Sequence, residues 1–386
     1  MTNNFERIAT RSPRQWLYLL GEEGVVYSEA QNRFAGLDAA GVAAYRAFDA
    51  GASLSDLRGF TDAGSFALAS DDGLETIHTL SRGLFPHEDL PADWPAFDPS
   101  KYDSPRTANI EIHGIPILLE YLPATAKDLC LDYFRNCPPT TRPARCHLSI
   151  QPIENGWTIY VNGREFFPLR RKEQLGLGLM HATRSLLYAE GEYDVAFHAA
   201  MVAHGSSGVM LCAPRESGKS TLAAYLVSQG FDLLTDEPAL LDLDTSSVAS
   251  LRLPVSLKQG SWPFLQQEWP QLTLAPIHVR SDSTQICLLH PPVYRYPERP
   301  QRLTSIVFSQ YTPSSAEQIE SLSPLRTLSF LTDGGMLLAR HITQDKFELF
   351  LQLLCITPSY RMRYTSLEEA RTMLHGLCGR PRSPVE

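Results

Sequence analysis

The residues able to do chemistry gather in one stretch, "HAAMVAHGSSGVMLCAPRESGKSTLAAYLVSQGFDLLTDEPALL", from His198 to Leu241. Within it, "APRESGKST" places Gly218, Lys219 and Ser220 in G-K-S order, with Thr221 next. A loop spaced G-x4-G-K-[ST] turns successive backbone N–H groups toward an anion at a helix N-terminus, where exposed amides and the helix dipole favour negative charge. The flanks fit this geometry: "GVMLCA" reads as a strand before the loop and "STLAAYLVSQG" as a helix after it. Ala213 stands where the first glycine is usual, and alanine serves there if its φ is negative. The expected cradle for a nucleotide's phosphates is therefore Ala213, Pro214, Arg215, Glu216, Ser217, Gly218, Lys219, Ser220 and Thr221. Glu216 must then aim its carboxylate away from the anion, paired with Arg215. The plain alternative is an ordinary strand-to-helix turn.

Five side chains have roles that follow from this placement. Lys219 would bring charge to the β- and γ-phosphates. The Ser220 hydroxyl would be the first ligand of a phosphate-bridging Mg²⁺. Asp236 comes 17 residues after Lys219, at the end of the apolar "FDLL". An acid there can bind magnesium through water or accept the proton of an attacking hydroxyl; its other reading is a turn cap. Glu237 makes the turn doubly acidic and either adds a metal contact or faces solvent. His198, 21 residues before Lys219, could hold a phosphate, help move a proton, or be structural.

Composition narrows the classes. The chain has 386 residues, 43% apolar and 20% charged, as in ordinary soluble proteins of two or three domains. A net charge of −9 argues against nucleic acid as the main partner, which needs a Lys/Arg field. No apolar run reaches the roughly 18 residues needed to span a bilayer, and "MTNNFERIATRSPRQW" lacks the apolar core of a secretion signal. The expectation is a cytoplasmic protein with no membrane partner. Its seven cysteines are scattered and form no CxxC pair; Cys137, Cys146 and His147 have no zinc spacing, so reduced thiols are expected.

The elements that must position the site read as follows. Residues 14–83 form a small unit in which "WLYLLGEEGVVYSEAQNRFAGLD" gives short strands and tight turns. Asp38 then N-caps "AAGVAAYRAFDAG", and "SLSDLRGF" and "LETIHTLSRGLF" give two further helices. Strands with three small helices suit a winged-helix-like module at 1–85. The Pro/Asp-rich 86–107 reads as a linker. Residues 108–190 read as a small α/β lobe, with hairpin turns at "ENGW" and "VNGRE" and a helix in "KEQLGLGLMHATRSLLYA". Residues 191–378 read as the α/β domain that holds the phosphate loop. There, two strands meet about the Gly-Ser turn of "FHAAMVAHGSSGVMLCA", and Gly230 closes the loop's helix. Residues 260–304 are Pro-rich and irregular, "SIVFSQY" is a strand, and "SLEEARTMLHGL" is a helix with a Ser366/Glu369 capping box. The tail at 379–386 is expected to be disordered.

The block from Phe197 to Leu241 resembles the catalytic domain of HPr kinase/phosphorylase, and more closely the HPr-kinase-related kinases of bacterial peptide-modification gene clusters. In that family a histidine-bearing strand, a phosphate loop and an acidic pair follow at similar spacing. The resemblance places functional residues on His198, Lys219, Ser220 and Asp236. It departs from the family at Glu237, where aspartate is usual, and at Ala213. "LPVSLK" resembles a Pro-Ile-Ser-Leu-Lys motif of the related kinases and makes Lys258 a candidate phosphate or substrate contact. "LHPPV" and "PSYRMRYTSLEEA" also resemble later family segments. HPr kinase takes magnesium through a further acid; Asp242 and Asp244 lie near in sequence but match too poorly to carry that role. The likeness covers 190–386 well and 108–190 weakly. "GVVYSEAQNRFAGLDAAGVAAYRAFDAG" resembles a PqqD-like domain, a module that holds leader peptides by adding a strand to an exposed sheet edge.

These likenesses imply an α/β fold in which a small winged-helix-like (PqqD-like) domain precedes a P-loop, HPr-kinase-like catalytic domain. They imply a kinase using ATP and Mg²⁺ to phosphorylate a Ser or Thr hydroxyl of a ribosomally made precursor peptide, captured through its leader. The family also suggests a homo-oligomer. Two alternatives stand beside this: a small-molecule kinase, and a nucleotide-binding scaffold that delivers peptide without catalysis.

Overall fold

The computed structural model describes residues 5–51, 107–121, 124–154, 156–169, 172–213, 217–280, 282–313, 318–339 and 342–378. The helices expected in "SLSDLRGF" and "LETIHTLSRGLF", the linker up to residue 106, Asn155 of the "ENGW" turn, the loop residues Pro214, Arg215 and Glu216, and the tail at 379–386 lie outside them. The architecture is mixed α/β, with four sheets among the described residues. No helix among these residues is long and apolar enough to cross a membrane. The chain divides into two compact units, 1–89 with 321–359, and 90–320 with 360–386. The sequence reading gave 321–359 to the phosphate-loop domain; these residues group instead with the N-terminal unit, for a reason visible in its packing.

That unit is built on an antiparallel meander, β1 (Glu6–Ala9), β2 (Gln15–Leu20), β3 (Glu23–Ser28) and β4 (Arg33–Leu37). Helix α1 (Ala39–Asp49) follows, capped as expected by Asp38, whose side chain accepts from the Gly41 N–H at 2.8 Å. Side chains alternate across a strand. Leu17, Val26 and Leu37 therefore meet Val42 and Tyr45 of α1 on one face. Tyr18, Tyr27 and Phe34 turn to the other, where each makes ring contact with Phe347 of helix Gln344–Ile356. Tyr27 stacks on Phe347 with ring centroids 3.9 Å apart, and its hydroxyl donates to the Ile342 carbonyl at 2.8 Å. Apolar faces on both sides explain the unbroken "VVY" of β3. The second cover comes from some 300 residues downstream, and no local pattern announces it.

The other unit begins with a five-stranded sheet in sequence order: β5 (Thr107–Ile112), β6 (Ile115–Tyr121), β7 (Cys146–Ile153), β8 (Gly156–Val161) and β9 (Arg164–Leu169). Helix α2 (Ala124–Tyr133) connects β6 to the parallel β7. Asn162 and Gly163 close the β8–β9 hairpin with φ of 49° and 80°, the mirror-image turn that Asn-Gly favours. Helix α3 (Leu175–Glu190) then leads into the largest sheet.

That sheet is made by β10 (Val195–Phe197), β11 (Ala200–His204), β12 (Ser207–Cys212), β13 (Asp232–Thr235), β14 (Ala239–Asp242), β15 (Ser247–Val248) and β19 (Gln301–Tyr311). They lie in the order β13-β11-β12-β19-β15-β14-β10. Helix α4 (Lys219–Ser228) runs from β12 toward β13, with Gly230 beyond its end at φ +104°. Leu222 to Val227 of α4 are all buried, as for a helix enclosed on every side. It packs on the sheet and on β16 (Val255–Lys258), helix α5 (Trp262–Leu265) and the Trp269 region, where Trp269 Nε1 donates to the Ala224 carbonyl at 3.1 Å. The stretch 260–304, expected to be irregular, also carries β17 (Ile277–Val279) and β18 (Gln285–Leu289), which join β16 in a small sheet. Strand β20 (Ser359–Tyr364) pairs with β19. Helix α6 (Leu367–Cys378) opens with the expected capping box, Ser366 and Glu369 each accepting the other's backbone N–H at 3.2 Å.

Candidate functional site

Strand direction assembles the site. β11 lies between β12 and β13 and is antiparallel to both, so these two run the same way and end at the same edge of the sheet. Leu211 faces Ala200 and Thr235 faces Met201, so Ala213 and Asp236 leave the sheet at the same carboxyl edge. Open α/β sheets bind ligands at that edge. Phe197 of β10 pairs with Ala239 of β14, which brings His198 and Glu237, just beyond the ladder, to the same place.

Gly218 takes the left-handed conformation, φ +91°, at the N-cap of α4. A side chain there would be strained, and its Cβ would also stand 3.5 Å from the Tyr364 hydroxyl. Lys219 follows, 8% exposed, with Nζ donating to the His198 carbonyl at 2.8 Å. Burial lowers its pKa, partly offset by the charges of Glu237 and Asp236.

Asp236 is buried, and its Oδ2 accepts from the Ser256 N–H at 3.0 Å. Burial raises its pKa above the usual aspartate value, against the opposing pull of the Ser256 N–H, Lys219 and the nearby Ser220 hydroxyl. Oδ1 has no aligned hydrogen bond. A carboxylate oxygen without an aligned hydrogen bond, next to a lysine and a serine, belongs to a donor set suited to a hard cation or a hydroxyl proton. Among the described residues, no group of three or more His, Cys, Asp or Glu is placed to hold a metal by itself. A magnesium ion here would draw on Ser220 and Asp236, with phosphate oxygens and water completing its shell.

Glu237 is differently engaged. Its Oε1 lies 2.7 Å from Arg184 Nη1 and contacts His198 Nδ1. Burial alone would raise its pKa, but the His198 hydrogen bond and the charges of Arg184, His198 and Lys219 outweigh it and bring it down to about 2. A cation reaching Glu237 would compete with both partners. The structure thus brings together His198, Lys219, Ser220, Asp236 and Glu237; Lys258 lies two residues beyond Ser256, at the end of β16. Asp242 sits at the far end of β14, where it accepts from the Thr245 N–H. Cys212, at the mouth of the loop, is buried, and its thiol is pushed up to about 12, so it offers no nucleophile.

Arg184 is the residue that the sequence reading missed. It lies on α3, one residue past the buried Ala182 and Thr183 and two before Leu186, in a helix read only as leading into the core. A single arginine set inside such an apolar run was the available signal. His181 sits one turn earlier on the same helix. All seven cysteines are free thiols. No protein-family model matches the chain, and no curated protein matches it.

Proposed function

We propose that the chain is an ATP-dependent phosphotransferase of the HPr-kinase-related type. The observation that carries this reading is the convergence of a left-handed Gly218, the Lys219 ammonium and the half-satisfied Asp236 carboxylate at one sheet edge. The N-terminal amides of α4 and Lys219, released from the His198 carbonyl, hold the β- and γ-phosphates. Ser220 and Asp236 would hold a Mg²⁺ ion, which would supply neutralisation of phosphate charge. An acceptor hydroxyl placed beside Asp236 forms the new O–P bond as the bond from Pγ to the ADP oxygen breaks. The hydroxyl proton passes to Asp236. Arg184 and His198 fix Glu237, whose charge, with that of Asp236, partly offsets the burial that lowers the Lys219 pKa.

The acceptor we favour is a Ser or Thr hydroxyl of a ribosomally made precursor peptide whose leader adds a strand to the N-terminal meander. Supporting this, β1 is a mostly exposed edge strand. Beside it, Ile8, Leu17, Tyr45 and Arg46 line a hollow of about 130 Å³. Leader capture would raise the local concentration of acceptor, to the order of millimolar for a short linker. The test is incubation with Mg-ATP and a peptide encoded beside the gene, read by mass spectrometry. Gain of one phosphate, abolished in Lys219→Ala, is expected. Intact ATP and unmodified peptides throughout would instead favour a scaffold that binds nucleotide without transfer, and modification of a free metabolite with no peptide bound would favour a small-molecule kinase.

A further inference from the structure

The phosphate loop accounts for the anionic end of a nucleotide and leaves its base without a seat. Three aromatic rings lead away from the loop. Tyr364 is buried, with its hydroxyl beneath Gly218. Tyr311 packs on it at 5.7 Å between centroids, tilted by 46°. Phe264 meets Tyr311 edge-on at 6.3 Å. The series ends in solvent: Tyr311 is 41% exposed and Phe264 55%.

The position of this open end follows from topology. β19 runs parallel to β12, with Phe308 opposite Cys212. Tyr311 therefore comes three residues past that pair, at the same carboxyl edge. Phe264 comes from α5, which packs against α4, so both rings are fixed relative to the helix that would carry the phosphates. Two hydroxyls beside them are buried without hydrogen-bond partners, Ser309 Oγ within β19 and Thr312 Oγ1 just after it. Two neighbouring exposed rings held on a rigid frame offer an apolar surface that a flat ligand can cover.

Resting on the phosphate-loop reading above, we infer that Phe264 and Tyr311 form the seat of the nucleotide base, which stacks on the face of one ring and meets the other edge-on while the triphosphate lies over Gly218 and Lys219. The other large exposed apolar side chains of this unit, such as Leu274 and Tyr294, lack this continuity with the loop. Recognition by stacking uses the π-face that every base presents. The site therefore takes adenine and guanine nucleotides with little preference.

Calorimetric titration of the full chain with Mg-ATP, Mg-GTP and magnesium tripolyphosphate tests this, using wild type, Phe264→Ala, Tyr311→Ala and the ring-preserving Phe264→Tyr. Both rings are exposed, so truncation should leave the melting temperature near wild type. The expected result is that wild type binds ATP and GTP more tightly than tripolyphosphate. Each alanine variant should lose about tenfold in affinity for both nucleotides while tripolyphosphate binding is unchanged, and Phe264→Tyr should bind like wild type. Unchanged nucleotide affinity in the alanine variants, or wild type that binds ATP no better than tripolyphosphate, overturns the base seat and leaves the phosphate site standing. Failure of wild type to bind tripolyphosphate and nucleotide alike overturns both.

Discussion

Arg184 Nη1 lies 2.7 Å from Glu237 Oε1, joining helix α3 to the acidic turn at Asp236 and Glu237. Breaking the pair should show in stability as well as activity. The Glu237 carboxyl, ordinarily near 4.5, is held at about 2 in the fold, so it contributes stability that is full above pH 4.5 and lost as pH falls toward 2. Glu237→Gln should therefore lower stability at pH 7 by on the order of 3 kcal/mol. Denaturant unfolding of the two proteins should show the gap closing below pH 4.5.

Asp236→Asn should act in the opposite sense. The folded-state pKa of Asp236 is raised, so the unfolded chain gives up this proton first as pH rises past 3.8, and native stability falls from there until the folded group also ionises. Removing the charge removes that penalty. Asp236→Asn should melt above wild type at pH 7, match it below pH 3.8, and transfer no phosphate while still binding ATP. A lower melting temperature at pH 7 would contradict the assigned burial of an ionised carboxylate.

Gly218→Ala should damage the loop without touching any charge. At φ +91° an L-residue is strained by about 1 kcal/mol, while the new methyl meets the Tyr364 hydroxyl only at ordinary contact distance. A modest loss of stability with at least a tenfold weakening of nucleotide binding is expected, measured by melting and by titration.

Phe347→Ala should destabilise the N-terminal unit by about 3–5 kcal/mol, since its ring is fully buried against Tyr27. It follows that deleting residues 1–95 would uncover Phe347, and leader binding is better tested by point substitutions along β1. Intact stability in Phe347→Ala would contradict the grouping of 321–359 with the meander.

Local rules made much of this legible. The Asp38 cap, the Asn162-Gly163 turn, the Ser366/Glu369 box and the strand–loop–helix around Lys219 each depend on residues within a few positions of one another. What stayed hidden depends on distant packing. Phe347 reads as one apolar residue of an amphipathic helix, and nothing near it says that it covers Tyr27. Arg184 belongs to the site only because α3 delivers it to Glu237, 53 positions away. Ser256 is an ordinary strand residue until its N–H is seen to hold Asp236.

The central claim is that backbone amides around Gly218 and the Lys219 ammonium hold a nucleotide's phosphates. Titration of wild type and Lys219→Ala with Mg-ATP tests it most directly. Saturable binding by wild type, weakened at least about a hundredfold in Lys219→Ala, is predicted. Equal affinity in the two proteins, or no binding by wild type, would contradict it.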